Sequence, residues 1–218
     1  MFYSNILPIN VILAVYKSIL YLKLISYLTS MNLKEKNPAL LLIDIQQGFS
    51  DETYWGGNRN NKDAELICSK ILAKWRELKL PIFHVCHSST NPISRLHPTH
   101  PGFNFHELVT PLENEPVITK HVNSAFIGTN LKEKLDFANI SCLVIIGLTT
   151  NHCISTSTRM AGNLGFETYL ISDACATFDR IGINGEKYDA ELIHLTTLAS
   201  LQEEFATVWS SEKLLANL

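Results

Sequence analysis

Short apolar runs separated by stretches of helical period organise most of this chain. Residues 41–45, 81–87, 117–120, 143–148 and 168–172 read as strands one to five, and 206–209 as a sixth. The first and fourth are apolar almost throughout, the pattern of strands buried on both faces. Between the first two, Leu66, Ile67, Ile71, Trp75 and Leu78 recur at helical spacing and predict a helix over 62–77. A short helix is expected over 130–137, another opening beside Cys153, and a last one over 187–205 that places Ala190, Ile193, His194, Leu198, Leu201 and Phe205 on one side. Alternating strand and helix over this length predicts a doubly wound α/β domain of three αβα layers, with a parallel sheet and right-handed crossovers. Residues 90–115 break the rhythm. Prolines at 92, 98, 101 and 111 forbid one regular helix there, and so long a connection implies a lid or a pocket wall.

The 218 residues contain no linker-like tract or repeat, so one domain is expected over 37–218, preceded by an apolar extension over 1–36. A net charge of −3 without a basic stripe argues against nucleic acid as a partner. Five scattered cysteines, an odd number, do not make a disulfide framework and suit a reducing, cytoplasmic compartment. The extension has three readings. Met31 is the natural start; or an amphipathic helix near 11–28 packs on the domain or joins copies into a homo-oligomer; or that helix lies on a membrane. A spanning helix is excluded, because the unbroken apolar run 11–16 is short and Lys17 and Lys23 interrupt what surrounds it.

Candidate chemistry collects where strands end, which is where ligands bind in open parallel sheets. Cys153 lies between the fourth strand and a helix start, whose unpaired N–H groups favour thiolate. Lowering a thiol pKa from about 8.5 by about 1.5 units takes roughly 2 kcal/mol, and the helix end together with a nearby ammonium would supply it. Lys120, at the end of the third strand, is that ammonium. Asp44, after the first strand, either holds Lys120 or carries the thiol proton to a leaving amine. Cys68, Cys86, Cys142 and Cys175 read as small buried hydrophobes.

These residues stand in segments that resemble the isochorismatase-like cysteine hydrolases, a superfamily with nicotinamidases and N-carbamoylsarcosine amidase among its members. The segments are Leu-Leu-Leu-Ile-Asp44-Ile-Gln46, Pro-Val-Ile-Thr-Lys120 with Asn123, Ser124 and Phe126 after it, Gly147-Leu-Thr-Thr-Asn-His-Cys153, Thr158-Arg-Met-Ala-Gly, and Ser172-Asp-Ala-Cys-Ala176. The resemblance covers roughly 37–210. It implies strand order 3-2-1-4-5-6, Asp44 as acid/base, Lys120 as orienting cation and Cys153 as nucleophile. It also implies a cis Leu148–Thr149 peptide and an oxyanion hole from the N–H groups of Thr149 and Cys153. The implied reaction is hydrolysis of a small amide or ureido C–N bond through a thioester, with no cofactor and no metal.

Two departures narrow the family reading. Nicotinamidases carry an Asp-x-His pair and a further His after the first strand, whereas the segment from Ser50 to Arg59 has no histidine. Cys153 points away from the vinyl-ether-cleaving isochorismatases, which lack that nucleophile; such an ether hydrolase, or an inactive relative serving as a scaffold, remains the rival reading. Tyr54, Trp55, His87, Ser88, Asn123 and Phe126 are the candidate pocket residues, Phe126 equally a core residue. Arg59 is a candidate carboxylate-binding cation or a surface residue, Arg159 and Asp173 a candidate ion pair, and His152 a residue turned away from the thiol. His87, His97, His100 and His106 read as loop histidines.

Overall fold

The computed structural model describes residues 32–218 and Lys17; the expected helix near 11–28 and its three readings lie outside the described residues. Strand β1 (Ala39–Ile43) is apolar at every position. Ala39, Leu41 and Ile43 face one core, and Leu40 and Leu42 face the other, so a helical layer covers each side. The strands that follow are β2 (Ile82–His87), β3 (Val117–Lys120), β4 (Cys142–Leu148), β5 (Glu167–Ala176), the hairpin pair β6 (Arg180–Ile181) and β7 (Lys187–Tyr188), and β8 (Thr207–Trp209). The main sheet runs β3-β2-β1-β4-β5-β8 with every pair parallel. This is the expected order, its sixth member being β8 because the hairpin intervenes.

The helices are α1 (Glu52–Trp55), α2 (Ala64–Leu78), α3 (Leu131–Phe137), α4 (Ser155–Asn163), α5 (Ala190–Leu201) and α6 (Ser211–Ala216). Helices α2 and α6 place Cys68, Ile71, Leu72, Trp75 and Leu214 on one face of the sheet. On the other face, α3, α4 and α5 contribute Leu131, Leu135, Ala161, Leu198 and Leu201.

Several expectations are corrected. Leu66 is exposed, because the inward face of α2 begins at Ala64 and continues through Cys68, which substitutes for a larger apolar residue in the stripe. Strand five continues to Ala176. The register on β4 jumps from Ile145 opposite Leu170 to Gly147 opposite Cys175, and the polar Ser172 and Asp173 inside that bulge hide the continuation. The last long helix is confined to α5, since residues 187–188 pair in the hairpin. Neither the hairpin nor α6 was expected from the pattern.

The proline-rich connection contains two short 3-10 turns, Pro101–Phe103 and Glu107–Val109, and is fastened to the end of β1. Gln46 donates to the carbonyls of His87 and Phe103 and accepts from the His87 N–H. Gly48 and Gly102 approach so closely that a Cβ on Gly102 would lie 2.6 Å from the Gly48 Cα. The connection therefore forms a wall beside the strand ends.

Candidate active site

Three strand ends converge on one ammonium. Asp44 follows β1 with φ 54°, a left-handed conformation that Asp tolerates better than most residues. Lys120 ends β3 and reaches past the end of β2, where its Nζ donates to Asp44 Oδ2 at 2.7 Å and to Cys153 Sγ at 3.2 Å. It also contacts His87 Nδ1 and the Val122 carbonyl, each at 3.2 Å. Asp44 and Lys120 are both fully buried. A buried ammonium needs this many acceptors, since an unpaired one would shed its proton.

Cys153 approaches from the other side of β1. Gly147 has φ 128°, and a Cβ there would lie 2.0 Å from the Ile43 carbonyl oxygen. Only glycine lets β4 press this closely on β1 just before the site. The Leu148–Thr149 peptide is cis. Beyond it, Thr150–Ile154 forms a single wide π turn, and α4 starts only at Ser155. The Cys153 thiol is set to donate to Asn123 Oδ1 at 3.8 Å.

Electrostatics reverse one expectation. Burial first, and then the Asp44 carboxylate, push the Cys153 thiol far above its ordinary range, while Lys120 opposes them. Burial by itself would lower the Lys120 ammonium, but the negative charge of Asp44 and the sulfur outweigh it, and its pKa is raised. The resting cluster is thus a protonated thiol beside an ammonium–carboxylate pair. Burial and then Lys120 lower His87, leaving a neutral imidazole. Asp44, His87 and Cys153 offer donor atoms within 4.8 Å of one another, and the Lys120 ammonium that touches all three is the positive charge at their centre.

Above the cluster lies a pocket of about 180 Å³ lined by Phe49, Trp55, His87, Ser94, Leu96, Asn123, Thr149, His152 and Cys153. Phe49 and Trp55 stack with ring centroids 4.7 Å apart, and Ser94 and Leu96 come from the proline-rich connection. A larger groove of about 600 Å³ runs along Arg76, Pro81–Phe83 and Leu112–Pro116. It lies by the amino ends of β2 and β3 and contains no nucleophile.

Among the candidate pocket residues, Trp55, His87 and Asn123 line the cavity and three do not. Tyr54 is exposed, packed edge-on against Trp55 and under the Arg95 guanidinium. Ser88 is buried beside the site and uses its backbone, donating to the Lys120 carbonyl and accepting from His121 Nδ1. Phe126 stacks on Phe166 in the core, because α3 and α4 close over it. Arg59 is held bidentate by Glu65 at 2.8 and 2.6 Å. Arg159 and Asp173 make no ion pair: Arg159 lies over the Phe205 ring, and Asp173 binds Ser211 at the start of α6.

His152 was expected to point away, and in an ordinary helical turn it would. In the wide π turn its ring reaches the pocket, with Nδ1 3.4 Å from Thr149 Oγ1. Phe49, the partner of Trp55 in the aromatic pair, was not singled out; the proline-rich connection was expected as a lid or pocket wall, but Ser94 and Leu96 within it were not named. His97, His100 and His106 build turns, each Nδ1 accepting the N–H two residues on.

The match to known proteins follows this geometry. Residues 38–213 match the family described as Isochorismatase domain. The chain belongs to the isochorismatase family. It is 49% identical over 181 residues to the uncharacterised isochorismatase family protein YrdC of Bacillus subtilis, covering 83% of this chain and 96% of that one. Nicotinamidase 3 of Arabidopsis thaliana is 26% identical over 199 residues, covering 84% and 89%. A crystal structure of an isochorismatase family protein from Chromobacterium violaceum superposes with a TM-score of 0.82 at 40% identity, covering 86% and 96%. The isochorismatase family is one of hydrolases, and the fold here is its α/β fold.

Proposed function

We propose that this isochorismatase family member is a cysteine hydrolase that cleaves a small amide or ureido C–N bond. The observation that carries the reading is the Lys120 ammonium in contact with both Asp44 and Cys153 on the floor of a small pocket. A nicotinamidase among the relatives agrees with an amide substrate.

The resting thiol must lose its proton as it reacts, and Asp44 is the acceptor. Its Oδ1 is buried and has no hydrogen-bond partner, so one carboxylate oxygen is free while Lys120 holds the other. As the proton moves to Asp44, Sγ attacks the carbonyl carbon and the carbonyl oxygen takes up the electron pair. The N–H groups of Thr149 and Cys153 are assigned as the donors to that oxyanion; one such donor is typically worth about 3–4 kcal/mol. Asp44 then returns the proton to the departing nitrogen, the C–N bond breaks, and a thioester remains. Water, deprotonated by Asp44, attacks the thioester, and the C–S bond breaks to restore the thiol. Lys120 keeps Asp44 oriented and offsets negative charge at sulfur. Throughout, no metal or cofactor is called for.

The same reading places the enzyme in the cytoplasm, where its five unpaired cysteines stay reduced, and assembles it as a homo-oligomer. Ammonia release from a panel of small amides, ureido acids and lactams tests the chemistry. Cys153→Ala is expected to reduce turnover on the order of 10³-fold or more. An ether hydrolase of the same family would retain most activity in that variant, and a scaffold protein would release nothing in wild type.

A further inference from the structure

Among the described residues two half-buried arginines, Arg159 and Arg180, have no carboxylate partner. Arg159 donates to Ser155 Oγ, lies over the Phe205 ring and does not touch the pocket-lining residues. Arg59, Arg76 and Arg95 each donate to a carboxylate, on Glu65, Glu115 and Asp51. Arg180, at the start of the hairpin, has no carboxylate within ion-pair distance among the described residues. Its Nη1 donates to the Trp55 carbonyl at 2.9 Å, its Nη2 lies 3.5 Å from His152 Nδ1, and its Nε is buried without a partner. The neighbouring Asp179 is turned elsewhere, accepting from Asn58 and from the Ala190 N–H that opens α5. Burial alone lowers the Arg180 pKa, with no acid to restore it.

Such a charge is open to pairing with an anion from outside the chain. Its two contacts, Trp55 and His152, are both pocket-lining residues. Because a guanidinium can only donate, His152 Nδ1 facing it is an acceptor, and the ring's proton belongs on Nε2. We infer that Arg180, with His152 beside it, recognises a carboxylate on the substrate, so that the cleaved amide or ureido compound is anionic. The planar fork of arginine matches a carboxylate in two parallel bonds, and the aromatic wall of Phe49 and Trp55 would hold the short carbon chain between the two polar ends. What is cleaved rests on the hydrolase reading above; the charge preference does not.

The test is equilibrium binding by titration calorimetry, using Cys153→Ala as the parent so that ligands are not consumed. The probes are malonamate, succinamate and glutaramate, each against its neutral diamide. At least one acid is expected to bind about 10- to 100-fold more tightly than its diamide, the range for a charge-assisted pair. Arg180→Met in that parent should erase the preference, and Arg180→Lys should keep part of it. Thermal melting checks that each variant folds; if the methionine form does not, Arg180→Gln replaces it. No binding of any acid, no preference in the parent, or an undiminished preference in the folded Met or Gln variant would each overturn the inference. Ammonia release from wild type separates the two ideas: release without a charge preference removes only the carboxylate, whereas an Arg180-dependent preference without release removes only the hydrolase.

Discussion

At Cys153 the decisive effect is the sign of the thiol shift. Burial and the Asp44 carboxylate raise its pKa, and Lys120 alone opposes them. Iodoacetamide labelling of Cys153 is therefore expected to titrate above the ordinary thiol range of about 8.5. Asp44→Asn removes the anion and should move the profile down by about one unit or more while abolishing hydrolysis; Lys120→Met removes the cation and should move it up. Peptide mass spectrometry isolates Cys153 from the four other buried cysteines. Three superimposable profiles near the ordinary value would show that the strand ends do not act on one another. A thiol that is labelled more readily in a variant that no longer turns over substrate fits Asp44 both as the anion that raises the thiol and as its proton acceptor.

Among the elements, the tie between α2 and the β2–β3 edge lies away from the chemistry. Glu115, just before β3, accepts from Arg76 Nε and Nη2 at 2.8 Å each and from the Leu112 N–H, and it pairs with buried His84 Nε2 at 2.8 Å. Burial alone would raise the Glu115 pKa, but the Arg76, Leu112 and His84 contacts hold it at about 2 instead of 4.5. A carboxyl depressed in the fold stabilises fully above its unfolded value and loses that contribution as pH falls through its folded value. Glu115→Gln should cost roughly 1–3 kcal/mol at pH 7, with the gap from wild type closing between pH 4.5 and 2. Denaturant melts at several pH values measure it, and a gap independent of pH would contradict the assignment. Turnover at pH 7 should survive, because this tie is at the opposite end of the strands from Cys153.

For the whole molecule, the apolar surface left outside the sheet layers matters most. Helix α5 turns Ala190, His194, Leu198 and Leu201 inward, yet Leu192 and Leu195 stand about half exposed on its outer side, and the neighbouring hairpin bears exposed Ile181 and Ile183. A helix apolar on both sides is ordinarily covered on both, which supports the proposed homo-oligomer. Light scattering at micromolar concentration should give the mass of two or more chains, and the pair Leu192→Glu and Leu195→Glu should reduce it to one. A wild-type monomer would count against assembly. No helix among the described residues is long and apolar enough to cross a membrane.

The strands and their neighbours were legible because burial on both faces leaves continuous apolar runs, as in β1 and β4, and because helix spacing is written in the residues of α2 and α5. Asp44, Lys120 and Cys153 could be singled out for the same reason: each stands where an apolar run stops. Their meeting could not be read, since 76 residues separate Asp44 from Lys120 and 33 separate Lys120 from Cys153, and only the order of strands in the sheet brings them together. Polar bulges hid the end of β5, and the wide turn at Thr150–Ile154 leaves no periodic trace, so His152 looked averted. The thiol's pKa was misjudged in sign because local position gives the helix end and the cation but not the depth of burial. Arg180 had no signal at all: an arginine is conspicuous only when the folded chain surrounds it and offers no acid.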